Sequence, residues 1–193
     1  MPRDYGRITV QPAPDYGPGY GPSKNDLDDF IDFLEDLVEI IEEIAEWLED
    51  WDGPGGFTYT PGTSLDDTIA ANDASQVITA FSGNDIIETG AGTDFVFAGV
   101  GNDTIILGSG TNYVRGGLDS DTFVFTEGAS GTTFIRDLIP GQDVIDVSAL
   151  GVTGFEDMVV RSYGYGTILY VDDLTIHVEM PLGALSESDF IFA

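Results

Sequence analysis

The chain has 193 residues, 42% of them apolar, with no cysteine and 35 acidic residues against six basic ones, for a net charge of -29. The apolar share excludes a chain disordered throughout, the length suits one or two domains, and the charge repels nucleic-acid phosphates and anionic membrane surfaces. Cations or basic proteins are the expected partners; disulfides and thiolate metal sites are excluded, and no run of about 18 apolar residues offers a transmembrane segment.

Residues 1–24 contain three of the six bases, Arg3, Arg7 and Lys24, and the stretch QPAPDYGPGYGPS, which favours extended, polyproline-like conformers over a packed element. This segment reads as a tail, serving either as a linker or as a strap that orders on a partner. The opening MPRDYGRITV lacks the basic-then-apolar layout of a signal peptide, so export is expected to use another signal.

Residues 25–52 read as one long helix, with Ser23, Asn25 or Asp26 as N-cap and Gly53-Pro54 as the stop. At 1.5 Å per residue it would span roughly 40 Å. Leu27, Ile31, Leu34, Val38, Ile41, Ala45 and Leu48 form one apolar seam, and Phe30, Phe33, Leu37, Ile40, Ile44, Trp47 and Trp51 a second beside it. The opposite face holds thirteen Asp or Glu and no base. A Leu27–Trp51 face this wide needs cover from the chain's own β domain, another copy or a foreign partner. Residues 53–61 read as a linker.

From Gly62 the chain cuts into nines: GTSLDDTIA, ANDASQVIT, AFSGNDIIE, TGAGTDFVF, AGVGNDTII, LGSGTNYVR and GGLDSDTFV. The eighth position is always apolar (Ile69, Ile78, Ile87, Val96, Ile105, Val114, Phe123), and the sixth is Asp67, Gln76, Asp85, Asp94, Asp103, Asn112 and Asp121. Seven such nonads without an insertion define a repeat architecture over residues 62–124.

These nonads resemble the GGxGxDxUx repeat of the repeats-in-toxin (RTX) family. The resemblance implies a mainly β fold: a right-handed parallel β-roll of about seven nonapeptide repeats with a β cap, here preceded by the long acidic amphipathic helix. In that family each nonad is a glycine-rich loop plus a short strand, two nonads complete a coil, and calcium sits between loops stacked on one edge. Odd nonads would then align Asp67, Asp85, Asp103 and Asp121 in one ladder, and even nonads Gln76, Asp94 and Asn112 in another.

Coils about 4.8 Å apart bring bare carboxylates into repulsion of roughly 1 kcal/mol in water, and 3 to 4 kcal/mol at an effective dielectric near 20. A hard cation that takes six to eight oxygen ligands flexibly suits such a ladder better than zinc or copper. The expected calcium ligands are Asp67, Gly83, Asp85, Gly92, Asp94, Gly101, Asp103, Gly110, Asn112, Asp119 and Asp121. About three good sites are expected on the odd edge and one or two weaker ones on the even edge, three to five ions in all. Leu65, Ala74 and Asp119 depart from the loop glycine, and Gln76 from the aspartate, which puts the first coil's sites in doubt. The outward strand positions Val77, Phe95, Phe97 and Tyr113 form an apolar roll face, a second expected contact surface for a protein partner or for self.

Residues 125–193 read as a β cap and secretion signal. Asp137, Gly141, Asp143, Ile145, Asp146 and Ser148 resemble the segment that follows the roll in secreted RTX proteins, and Asp189 to Ala193 resemble the apolar, acidic tail read by a type I secretion machine. No enzyme is expected. His177 is the single histidine, which excludes multi-histidine metal centres, and Asp172-Asp173 and Glu156-Asp157 lie in turn-like stretches with no pocket-forming domain left to hold a substrate. The function expected is a bacterial calcium-binding structural protein, extracellular or on the cell surface, exported by a type I system. It would assemble into a surface layer, filament, matrix or adhesive. The alternative is an accessory subunit docking onto a larger complex through its N-terminal tail and helix.

Overall fold

The computed structural model describes residues 56–164 and 166–193. The expected tail (1–24) and helix (25–52), and residues 53–55 of the linker, lie outside the described residues. Strands follow in chain order as β1 (Thr58–Pro61), β2 (Thr68–Ala70), β3 (Gln76–Thr79), β4 (Ile86–Glu88), β5 (Thr93–Val100), β6 (Thr104–Leu107) and β7 (Gly110–Leu118). They continue as β8 (Thr122–Phe125), β9 (Gly131–Ile135), β10 (Val144–Asp146), β11 (Val159–Tyr163), β12 (Gly166–Val171), β13 (Leu174–Val178) and β14 (Phe190–Ile191).

From β1 to β10 successive strands alternate between two sheets, the signature of a parallel β-solenoid. One sheet has eight strands in the order β1-β3-β5-β7-β9-β13-β12-β11, and the other six, β14-β10-β8-β6-β4-β2. Thr58, Gln76, Asp94 and Asn112 stand opposite one another in turn on the first, and Thr68, Ile86, Thr104 and Thr122 on the second, all in parallel register. One coil is therefore two nonads.

The solenoid overruns both boundaries read from the nonads. At the front, β1 occupies the end of the stretch read as a linker and pairs with β3 along its whole length. At the back, the nonad register stops at Val124, but β9 still pairs with β7 and β10 with β8. Thr133 now lies opposite Asn112, and Val144 opposite Thr122. A hydrogen-bond ladder requires only that strands stay in register, so extra residues loop out at turns, as at Thr126–Gly131, without breaking the stack. The first sheet then ends in an antiparallel β13–β12–β11 meander.

The core follows from strand alternation, which points every second side chain inward. Ile78, Ile87, Val96, Ile105, Val114 and Phe123 have no exposed surface and Ile69 is nearly buried, so all seven eighth-position residues line the interior. Ile135 and Ile145 continue the column into the longer coils. On the opposite side of the eight-stranded sheet, Phe95 stacks on Tyr113 with ring centroids 4.8 Å apart. That row runs on through Phe134 (4.8 Å) to His177 (4.5 Å) and begins at Phe57, which meets Phe95 edge to face. Phe97 is not in the row: it stands opposite Arg115.

The C-terminal residues belong to the fold. Phe190 and Ile191 pair with Ile145 and Asp146 as the last rung of the six-stranded sheet, and the Ala193 amide donates to the Val152 carbonyl. Asp189 is buried; burial alone would raise its pKa, but hydrogen bonds from Ser186 and the Gly141 amide hold it below the usual carboxylate range.

Candidate metal centre

Asp67, Asp85, Asp103 and Asp121 each sit just before their strand, where the chain turns from the loop into the sheet, and Gln76, Asp94 and Asn112 lie within the first three residues of theirs. That places the side chains of one edge at the same height in every coil. The consequence on the odd edge is a continuous chain of carboxylate-to-backbone bonds. The Asp67 amide donates to Asp85 Oδ1 (2.7 Å), the Asp85 amide to Asp103 Oδ1 (2.8 Å), the Asp103 amide to Asp121 Oδ1 (2.9 Å) and the Asp121 amide to Asp143 Oδ1 (3.0 Å). On the even edge the Gln76 amide donates to Asp94 Oδ1 (3.0 Å). One oxygen each of Asp85, Asp94, Asp103, Asp121 and Asp143 is thus spent on holding coils together.

The second oxygen divides the ladder into ends and middle. At the front, Asp67 Oδ2 accepts from the amide and hydroxyl of Thr63 (2.6 and 2.9 Å), and at the back Asp143 Oδ2 accepts from the Ile139 amide (2.7 Å). In between, Asp85, Asp103 and Asp121 are buried and their Oδ2 atoms have no protein partner. The even edge has the same pattern with weaker chemistry. Asp94 Oδ2, Asn112 Oδ1 and Thr133 Oγ1 are buried without a partner, while Gln76 is satisfied by Thr60 and by the Asn72 carbonyl.

Six buried polar atoms in two files are far more than a packed interior tolerates without compensation. Among the described residues no three His, Cys, Asp or Glu side chains gather into a metal cluster. A cation held here would therefore draw the rest of its shell from the backbone carbonyls of the loops, which fits the oxygen-only, high-coordination preference of calcium.

The loops are built to stack. Gly83, Gly92, Gly101 and Gly110 all have positive φ, and a Cβ on Gly101 would lie 1.9 Å from the Gly83 carbonyl oxygen. Asp119, where the repeat departs from glycine, adopts the same left-handed sense with φ of 77°, as Asp tolerates better than most residues. A second ladder, not read in the sequence, runs beside the first. Asp66 Oδ1 accepts from the Asn84 amide, Asn84 Oδ1 from the Asn102 amide, and Asn102 Oδ1 from the Ser120 amide. Asp143, noticed in the sequence only for its resemblance to a flanking segment, is the ladder's final carboxylate.

Burial without a counter-charge sets the electrostatics. Desolvation raises Asp85, pushes Asp94 and Asp103 up to about 6 and Asp121 up to about 7, against partial relief from the backbone amides they accept. Asp137, which accepts from the Gly116 and Gly117 amides (3.0 Å each), is also raised by burial. A carboxylate raised in the folded state favours folding where it is protonated, below about 3.8, and that contribution is lost as pH rises through the folded value. In a chelator, therefore, the β signal by circular dichroism should be strongest near pH 4 and fall between about 4 and 7. Asp121→Asn should remove the upper end of that decline, and calcium should abolish it.

The family model for the RTX calcium-binding nonapeptide repeat (4 copies) matches residues 61–96 and 88–123. No curated protein matches the chain. Among solved structures, the chain is similar to the AlgE6R3 subunit of the Azotobacter vinelandii mannuronan C5-epimerase, at 26% identity over 74% of this chain and 87% of that one, with a TM-score of 0.34. It is similar also to the AlgE6R2 subunit of the same enzyme, at 24% identity over 71% and 92%, with a TM-score of 0.35. Residues 61–123, two stacked files of nonads around an aliphatic core, are RTX calcium-binding nonapeptide repeats.

Proposed function

We propose that this is an extracellular structural protein, folded by calcium after export and assembling with copies of itself into a layer, filament or matrix. The observation that carries the calcium part is the file of orphaned carboxylate oxygens at Asp85, Asp103 and Asp121, each buried and each repeated once per coil. Three ions belong to this edge. One or two weaker ones belong to the even edge, where Asp94 contributes the charge and Asn112 a neutral oxygen. Asp67 takes no full part, because it is only half-buried, is held by Thr63 through Oδ2 and accepts no amide from another coil.

Extracellular calcium modules work at about 0.1 to 1 mM, far above cytosolic levels, so the ladder's self-repulsion keeps the roll open inside the cell and calcium closes it outside. This supports export in the unfolded state by a type I system, with Asp189 to Ala193 read before they dock on β10. The role is non-catalytic: His177 is spent on the ring stack, its pKa lowered by burial and by Arg136.

Calcium added to the purified chain from zero to about 10 mM, followed by far-UV circular dichroism and light scattering, should raise β signal and particle mass together. Magnesium should do neither. A β signal that rises while the chain stays monomeric would sink self-assembly and leave the accessory-subunit reading, and no β response at all would sink the calcium ladder.

A further inference from the structure

The basic residues of the described chain, Arg115, Arg136 and Arg161, all stand on the outer face of the eight-stranded sheet. Arg115 is the exposed neighbour of inward Val114 on β7, and Arg136 follows inward Ile135 at the end of β9. Arg161 lies opposite Ile168, which lies opposite His177, which lies opposite Phe134, so it ends the aromatic row. No outward strand position of this sheet carries an acid, the nearest being Glu179, just past β13 and paired with Arg136, and Asp137, which Arg115 faces electrostatically; the six-stranded sheet presents Glu88 and Asp146 and no base. In a chain with 35 acids and six bases this separation makes one face locally attractive to anions.

The face is also shaped and apolar. The Arg136 guanidinium sits 5.7 Å from the centres of both Tyr113 and Phe134 and pairs with Glu179. A cleft of about 430 Å³ opens beside it, lined by Phe134, Arg136, Tyr163, Ile168, His177 and Glu179. Because the rings of the row stack on one another, they present edges, flanked by guanidinium groups, to whatever lies on top. Such a surface fits a partner that brings carboxylates next to apolar side chains.

We propose that this face binds the acidic, apolar-striped segment 26–52 of a second copy of the chain. Charge complementarity carries the assignment: the segment has thirteen acids and no base, interleaved with Leu, Ile, Phe and Trp. Length agrees, since eight strands at about 4.8 Å spacing span roughly 34 Å and a helix of that segment roughly 40 Å. The inference rests on the self-assembly reading and specifies its contact. Pairing two different patches is heterologous, so copies would add head to tail into an open assembly.

The test uses two charge-reversed full-length chains, one with Arg136→Glu and Arg161→Glu, the other with Glu39→Lys, Glu42→Lys, Glu43→Lys and Glu46→Lys. In calcium each should gain the wild-type β signal yet stay monomeric at tenfold the concentration at which wild type assembles. Mixed one to one, they should assemble, because each now offers what the other lacks. Variants that assemble alone as wild type does, or that stay monomeric when mixed, overturn this contact while self-assembly stands. A wild-type chain that stays monomeric in calcium removes the self-assembly reading itself. Should a reversed chain fail to fold, the corresponding Gln substitutions carry the same test, with at least a tenfold weakening of assembly expected from each.

Discussion

Asp103→Ala is expected to raise the calcium midpoint of folding several-fold, to flatten the titration and to lower the number of ions bound at saturation. Asp103 sits mid-ladder, and its carboxylate does two jobs. Its Oδ1 accepts the Asp85 amide, and its Oδ2 is one of the orphaned oxygens. Alanine leaves the Asp85 amide buried without an acceptor, at a cost of about 1 to 3 kcal/mol, and removes the oxygen that a cation on this edge would use. Flattening follows because a missing rung uncouples Asp85 from Asp121.

Asp103→Asn separates the two jobs. An amide oxygen can still accept the Asp85 amide, while the amide nitrogen puts a donor where a cation needs an oxygen. This variant should fold more readily than wild type in a chelator, since a buried carboxylate pushed up to about 6 is gone, yet gain less from calcium. Ion counting by native mass spectrometry alongside circular dichroism checks both. An unchanged midpoint and ion count in Asp103→Ala would remove the ladder model.

Gly101→Ala is expected to be the more damaging change, abolishing the calcium-induced β signal or displacing its midpoint beyond the millimolar range. The added Cβ would stand 1.9 Å from the Gly83 carbonyl oxygen and 2.7 Å from its carbon, both backbone atoms that cannot step aside without parting two coils. The φ of 134° adds strain for any L side chain. Together these place the cost at about 4 kcal/mol or more, the range of severe overpacking. Gly141→Ala is the matched comparison. Its φ is also positive, at 77°, but nothing lies within 4 Å of a Cβ there, so a loss of about 1 kcal/mol is expected. Equal effects from the two substitutions would show that backbone conformation, rather than close stacking of loops, limits the roll.

Much of this was legible from residues alone because the relevant signals are local. Strand alternation is two residues long and the repeat nine, so the buried file from Ile69 to Phe123 and the two edges of sixth-position side chains follow from spacing once coils stack. The loop glycines are similarly legible, as no other residue suits a positive φ so close to a neighbouring carbonyl. What spacing could not say is where stacking begins and ends. β1 precedes the first recognisable nonad, and β9 and β10 follow the last, because registry in a hydrogen-bonded sheet survives insertions that destroy a sequence period.

The same limit governed the metal centre. Asp67 and Asp85 look alike as letters, yet the first is half-buried and held by Thr63, while the second is buried with its Oδ2 left without a partner. Asp143 enters the ladder from outside the repeat, and Phe134 and His177 join the aromatic row from strands far apart in the chain. Composition and periodicity, with the family resemblance that the nonads carry, pointed to an acidic, calcium-suited roll with an aliphatic interior. Only the tertiary structure decided which carboxylates are left one partner short and where the arginines gather, because both depend on residues brought together by folding rather than by spacing.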